Sequence, residues 1–208
     1  MATRQSAKSI QQPVSPDNPC PFLRALVASG QLPDGGVPVS QLVSTVVAAA
    51  KRGEGAPALP SAAVYAIAVT ANGLNPLTVF RSGTRGVRLD ELRDGPFDKQ
   101  GAGSRIIDIA GNVDLKELAR LRTFASPKVI ASGVTVLGLD LGEINRFMEA
   151  NYKRAKGGRK LVDRVLMRGE WPVLLKVIGK DGQDGRYLSF DEVEALVVQR
   201  RLPDRMSG

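Results

Sequence analysis

The fold is decided early in the chain, in Asn18-Pro19-Cys20-Pro21-Phe22-Leu23-Arg24-Ala25-Leu26, which carries the only cysteine. Pro21 suits the first turn of a helix, because its missing N–H has no intrahelical partner there and its φ is already helical. Apolar side chains then recur with helical spacing and predict a helix with Cys20 at or near its N-cap. At that position the helix dipole and the free N–H groups favour a thiolate over a thiol.

A thiolate at Cys20 would be a nucleophile, a redox centre or a metal ligand. The alternative interpretation is a small hydrophobic residue packed in a turn, since free cysteine is among the most buried residue types. The residue alone does not decide between the two.

The composition excludes several classes of site. The single cysteine excludes an internal disulfide and a cysteine-cluster zinc or iron–sulfur site. The absence of histidine excludes Ser-His-Asp triads, histidine-ligated haem and HExxH metalloproteases. Any acid–base chemistry must therefore rest on a carboxylate or a lysine.

The charge of the chain is strongly positive, at +8 with a pI near 9.9. Much of the excess lies between residues 146 and 168, and we interpret it as a solvated basic surface. Only 5% of residues are aromatic, which argues against a stacking platform, so nucleic acid is not expected as a partner. The polar N-terminus has no apolar signal segment and no run is long enough to span a membrane, which predicts a cytoplasmic protein.

Helical periodicity recurs along the chain, and no run alternates long enough to predict a sheet. We therefore expect an all-α fold, a single compact multi-helix domain with long loops over residues 18–205. A polar tail, residues 1–17, would precede it, disordered or draped on the surface. Further helices are predicted from a cap at Ser40 to Lys51, over 61–72, up to about Phe124, Ala155 and Arg200, and over 159–167 and 171–178, with a short turn at 89–92.

Three segments repeat the pattern apolar–Asp/Ser–x–x–Glu–apolar, at residues 113–118, 139–144 and 188–193. Each predicts a capping box, in which the Asp or Ser accepts from an N–H of the first helical turn and the Glu accepts from the N–H of the cap residue. The same pattern closes an EF-hand loop, and 181–192 is the best candidate. Its glycine is one residue out of register, so we expect at most one degenerate calcium site and favour the capping interpretation.

The segment around Cys20 also resembles a known family. Pro19-Cys20-Pro21, the apolar helix and then Ser29-Gly30-Gln31-Leu32-Pro33-Asp34-Gly35-Gly36 resemble the opening of the haem-thiolate peroxidases, the chloroperoxidase and unspecific peroxygenase family. In that family the Pro-Cys-Pro cysteine is the axial ligand of the haem iron. The resemblance implies the same role for Cys20.

A second segment, residues 98–105, is similar to the family's Glu-(His/Gly)-Asp-x-Ser-x-x-Arg region, where a cation is held against a haem propionate. The resemblance implies that Asp98, Ser104 and Arg105 contact the cofactor. Gln100 and Ala102 stand where the family carries the Asp and the Ser, which speaks against a retained structural cation.

Gly142 and Glu143 are similar to the family's distal Gly-Glu helix, which implies that Glu143 is the acid–base group for peroxide cleavage. No arginine stands within residues 134–139 to assist it. Residues 199–203 resemble the family's closing Glu-Arg-x-Pro stretch.

The resemblance implies a haem-binding protein with an axial cysteine thiolate, which would catalyse peroxide-dependent oxidation or oxygenation of a small organic substrate if it is active. A rival hypothesis is a non-catalytic, degenerate EF-hand-like helical module that binds a protein or an anion. A third is a thiol redox sensor that uses Cys20. The sequence names no substrate and no oligomeric state.

Overall fold

The computed structural model of the chain describes residues 11–55, 59–74, 86–93, 95–98, 103–154 and 171–206. Several sequence predictions lie outside these ranges. They are the first ten residues of the predicted tail, the positions of Gln100 and Ala102, the helix end at Ala155, the amphipathic segment 159–167 and most of the basic stretch 146–168.

The described chain is a mixture of helices and short strands, so the prediction of an all-α fold is wrong. The helices are α1 (Pro21–Ala28), α2 (Val39–Lys51), α3 (Ser61–Ala71), α4 (Leu115–Arg122), α5 (Leu141–Arg154), α6 (171–178) and α7 (Phe190–Val198), with 3-10 turns at Leu89–Glu91 and Asp204–Met206. The strands are β1 (Gly36–Val37), β2 (Val87–Arg88), β3 (Ser126–Val129), β4 (Thr135–Asp140), β5 (Lys180–Gly182) and β6 (Gly185–Ser189).

Two antiparallel sheets form from these strands. The smaller sheet joins β1 to β2 and pairs Val37 with Val87. The larger has the strand order β3-β4-β6-β5. The β3–β4 hairpin forms one side of this sheet and the β5–β6 hairpin forms the other. Its strands have six residues at most, which is too short for a decisive alternating pattern, and so the sequence analysis missed them.

The four-stranded sheet relates two similar hairpin–helix units. In the first, β3 and β4 run directly into α5, and in the second β5 and β6 run into α7. The central strands pair antiparallel with Leu139 opposite Leu188, the two apolar residues that open the second and third repeats of the box pattern. Equivalent positions of the two repeats therefore lie opposite each other at the centre of the sheet.

The hydrophobic core lies between this sheet and the helices. Leu139 and Leu188 are fully buried, together with Phe147 on α5 and Trp171 on α6. The ring of Phe147 packs edge-on against Phe124 and Trp171, with centroids 5.4 and 6.0 Å away. This aromatic contact joins α5 and α6 to the segment that follows α4.

The predicted start of the first helix is confirmed. α1 begins at Pro21 with Cys20 at the N-cap. The helix over Ser61–Ala71 and the turn over Leu89–Glu91 are also present. The cap predicted at Ser40 is wrong, since α2 begins at Val39 with Pro38 before it.

Only one of the three predicted capping boxes is complete. At α5 the Asp140 carboxylate accepts the Glu143 N–H at 2.9 Å, and the Glu143 carboxylate accepts the Asp140 N–H at 2.8 Å. At α4 Asp114 caps the first turn, but its own N–H donates to a main-chain carbonyl instead of to Glu117. At α7 Ser189 makes no side-chain cap.

The best calcium candidate, residues 181–192, folds as the β5–β6 hairpin followed by α7. The first of its would-be ligands, Asp181, pairs with Arg186 at 3.0 Å. In the described ranges no three acidic, cysteine or histidine side chains gather as a metal site would require. None of the helices described is long and apolar enough to cross a bilayer.

Candidate thiolate site

Cys20 lies at the N-cap of α1 with an extended backbone, at φ −79° and ψ 113°. Its N–H donates to Asn18 Oδ1 at 3.3 Å, which fixes the turn that leads into the helix. The side chain is half-buried and packs at the edge of the core. The flanking prolines and this turn therefore hold the thiol at the positive end of the helix.

Arg24 lies one helical turn after Cys20 and is almost completely buried, with 3% of its surface exposed. Its guanidinium donates to three main-chain carbonyls, those of Ser15 at 3.0 Å, Asn18 at 2.9 Å and Gly111 at 2.9 Å. These bonds join the chain before Cys20 to α1 and to the turn at residues 108–111.

The turn at 108–111 approaches this segment closely. Gly111 has φ +77°, and a Cβ there would lie 2.6 Å from Pro16 Cα. Only glycine accommodates both the backbone conformation and the close approach. The segment before Cys20 is therefore held from both sides, by this turn and by Arg24.

Arg24 interacts electrostatically with Cys20. Burial and, after it, nearby Arg200 and Arg93 lower the pKa of Arg24 to about 10, while Asp34 and Cys20 act in the opposite direction. Asp34 already accepts the Ser15 N–H through both carboxylate oxygens. One buried guanidinium therefore lies near one carboxylate and one thiol, and a neighbouring cation favours a thiolate.

Asn18 contributes a polar atom without a partner. It is fully buried, and its Nδ2 has no hydrogen bond to any part of the chain that the structure describes. Its Oδ1 accepts from the Cys20 N–H, so this amide lies directly beside the cysteine. A buried donor of this kind is costly unless something accepts from it.

Asp98 approaches the same region through Arg93. Its carboxylate lies 3.6 Å from Arg93 Nη1, and the same guanidinium donates to the carbonyls of Pro16 and Asp108. Arg200, in the predicted closing segment, has φ 51° and lies close enough to Arg24 to affect its pKa. The structure thus brings Arg93 and Arg200, which are distant in sequence, close to Arg24.

Ser104 and Arg105 are placed in another cluster. The Ser104 carbonyl accepts from Asn151 at 3.5 Å, at the C-terminal half of α5. Arg105 interacts electrostatically with Glu117 and Arg120 on α4. In the described residues, Ser104 and Arg105 contact α4 and α5, whereas Asp98 pairs with Arg93. These contacts do not support the expected grouping of the three residues around one cofactor.

Glu143 lies at the start of α5, and 4% of its surface is exposed. Besides the capping bond to Asp140, its Oε2 lies 2.9 Å from Lys128 Nζ on β3. Lys128 also pairs with Asp140 at 2.6 Å. The Glu143 carboxylate thus has structural partners, and its catalytic role stays a prediction from the resemblance.

The structural role of Glu143 predicts a measurable loss of stability. Glu143→Gln removes the ion pair with Lys128 and should lower the free energy of unfolding by about 1–2 kcal/mol in urea denaturation. Asp191→Asn, at an exposed position in the first turn of α7, is the control and should change it by less than about 0.5 kcal/mol. Equal effects of the two substitutions would contradict the structural role.

Sequence reasoning missed three residues that hold the backbone around Cys20, namely Arg24, Arg93 and Asn18. Arg24 stands four residues after Cys20, a spacing that puts both on one helical face, so this signal was present. Arg93 had no such signal, because it reaches the site only through the fold.

Comparison of the chain with protein-family models, with curated proteins and with solved structures gives no match. The resemblance to haem-thiolate peroxidases therefore remains a prediction from the sequence.

Proposed function

We propose that this protein binds haem through the thiolate of Cys20. The observation that carries the proposal is the placement of the only thiol, half-exposed, at the N-cap of α1, where it interacts with the guanidinium of Arg24. Both the helix terminus and this cation stabilise negative charge on sulfur. An iron ligand must be deprotonated, so this is the form that metal binding requires.

The residues around Cys20 fit a thiolate ligand to a haem. The buried Asn18 Nδ2 beside the cysteine lacks an acceptor in the described chain, as expected of a group that donates to a ligand or to a ligating sulfur. This fit concerns only the residues beside Cys20, the proposed axial ligand.

The residues expected on the catalytic side fit less well. The Glu143 carboxylate is held by Asp140 and Lys128, and a group so engaged must break these bonds before it accepts a proton from a substrate. We therefore propose haem binding as the primary function. Oxidation of a small organic substrate would be a secondary activity that requires Glu143 to be released.

The chain's own residues hold the thiolate in place. Arg24 ties α1 to the carbonyls of Ser15, Asn18 and Gly111, and the flanking prolines restrict the backbone on both sides of Cys20. A bound haem would receive electron density on its iron from the thiolate, and this favours cleavage of the O–O bond of a peroxide.

The proposal is tested by haem reconstitution followed by the reduced carbon monoxide difference spectrum. The wild-type protein should give a band at about 450 nm, typical of thiolate ligation. Cys20→Ala should abolish that band while Asp34→Asn, which keeps the thiol, retains it. Absence of the band in the wild type, or its persistence in Cys20→Ala, would overturn the proposal.

A second candidate function is a non-catalytic binding module. The pairing of the two hairpin–helix units through the buried Leu139 and Leu188 favours it, because these units pack against each other through apolar side chains of the chain itself. The spectrum just described separates the two functions, since a module without haem gives no band.

A further inference from the structure

A second cluster of charged residues lies away from Cys20, where α4 meets the C-terminal half of α5. Glu117 and Arg120 belong to α4, and Asn151 and Arg154 belong to α5. Arg105 precedes α4 and interacts electrostatically with both Glu117 and Arg120.

The Glu117 carboxylate is shared by several cations. Arg154 donates to both oxygens of Glu117, at 2.8 and 2.5 Å, and Arg120 lies 3.5 Å from one of them. The hydrogen bond from Arg154 lowers the pKa of Glu117, so the carboxylate is charged at neutral pH. Asp114, the N-cap of α4, is a second carboxylate that interacts with Arg154. Three guanidinium groups then face two carboxylates, which leaves positive charge in excess.

Arg120 is fixed at the centre of the cluster. Its Nη1 donates to Asn151 Oδ1, and its guanidinium stacks over the rings of Phe124 and Phe147 at 5.5 and 5.4 Å. Burial and the neighbouring Arg154 lower its pKa, because both disfavour the positive charge. A bound anion would relieve this unfavourable environment.

Arg105 is the member of the cluster whose guanidinium is available to bind a ligand. Its side chain is partly exposed, and within the described ranges its guanidinium makes no hydrogen bond and no ion pair. Its backbone has φ 61°, a left-handed conformation that is rare for a residue with a long side chain. Such strained positions are enriched at binding sites.

We propose that Arg105, Arg120 and Arg154 form a binding site for a phosphate group. The planar fork of arginine matches phosphate oxygens in pairs, and the positive charge in excess of the carboxylates favours an anion. The same chemistry would recognise a small phosphate monoester or a phosphodiester of a nucleic acid. The site is independent of haem binding at Cys20.

A purely structural role makes a different prediction for Glu117. If the cluster only joins α4 to α5, loss of this carboxylate weakens the contact between the two helices and leaves the affinity for anions unchanged. If the cluster binds phosphate, Glu117 competes with the ligand for the same guanidinium groups. Glu117→Gln should then tighten phosphate binding while it lowers the stability of the fold.

The experiment measures the affinity of the full chain for inorganic phosphate by calorimetry and for a short DNA duplex by fluorescence anisotropy. Arg105→Gln should weaken phosphate binding by about tenfold or more. This variant should fold normally, because no hydrogen bond or ion pair of the Arg105 guanidinium is present in the described ranges and only its electrostatic interaction with Glu117 is lost. Glu117→Gln should tighten binding by about threefold or more.

Arg201→Gln is the matched control, since it removes one exposed arginine that pairs with Asp204 elsewhere on the surface. It should leave phosphate affinity unchanged. If the source of the phosphate is a nucleic acid, DNA should bind and Arg105→Gln should reduce the salt slope by about one. If the source is a small monoester, phosphate should bind and the duplex should not.

Two results would overturn the proposal. One is the absence of binding of either probe to the wild-type chain at millimolar concentration. The other is binding that responds to Arg201→Gln as much as to Arg105→Gln, since such binding follows net charge and not this cluster.

Discussion

Arg24→Met is expected to lower the free energy of unfolding by about 3 kcal/mol or more. The substitution preserves most of the apolar contacts of the side chain but leaves the carbonyls of Ser15, Asn18 and Gly111 without their donor. A buried polar group that loses its partner costs about 1–3 kcal/mol. The loss should also release the segment before Cys20, because these bonds hold it against α1.

The measurement is urea denaturation of the wild type and the variant at pH 7. Arg24→Lys serves as an intermediate, since it keeps a positive charge but cannot reach three carbonyls at once. Arg201→Met, whose side chain is 53% exposed, is the control and should change stability by less than about 0.5 kcal/mol. A loss of less than about 1 kcal/mol for Arg24→Met would show that water replaces the guanidinium.

Phe147→Ala should have a comparable or larger effect, a loss of about 3–5 kcal/mol. The ring is fully buried and contacts Phe124 and Trp171 edge-on, with Arg120 over its face. The substitution opens a cavity in the core and removes the aromatic contact between α5 and α6. Because Arg120 loses part of its support, phosphate affinity should fall as well.

Equilibrium unfolding and calorimetry test both parts of this prediction. Phe97→Ala is the matched control, because that ring is 40% exposed and should contribute far less to stability. Equal losses in the two variants would mean that the aromatic contacts at Phe147 do not stabilise the core. Phe147→Leu, which fills most of the volume, should recover part of the stability but not the stacking under Arg120.

The first helix and its thiol could be predicted from a few residues. Pro21 and the apolar spacing after it specify a local structure through steric restriction and helical periodicity, and α1 begins where they indicate. The cap at Asp140 was predictable for the same reason, since the Asp and the Glu that form it lie three residues apart.

The sheets could not be predicted in the same way. A strand of four to six residues has no internal hydrogen bonds, and its stability comes from a partner that is distant in sequence, such as Leu188 opposite Leu139. The repeated box pattern was visible, but its interpretation as three equal caps was wrong. Glu117 and Glu192 have the spacing of Glu143, yet the fold offers them arginine and lysine partners instead of a main-chain N–H.

The sequence by itself determined the chemistry that this protein can carry. A chain with one cysteine and no histidine has one thiol and must use carboxylates or lysines for acid–base chemistry. Only the tertiary structure decided which charged groups meet. Arg93 and Arg200 come close to Arg24, while Arg105 joins Arg120 and Arg154 around Glu117. The physical reason is that electrostatic interactions depend on distance in space, and no local pattern encodes the distance between residues so far apart in the chain.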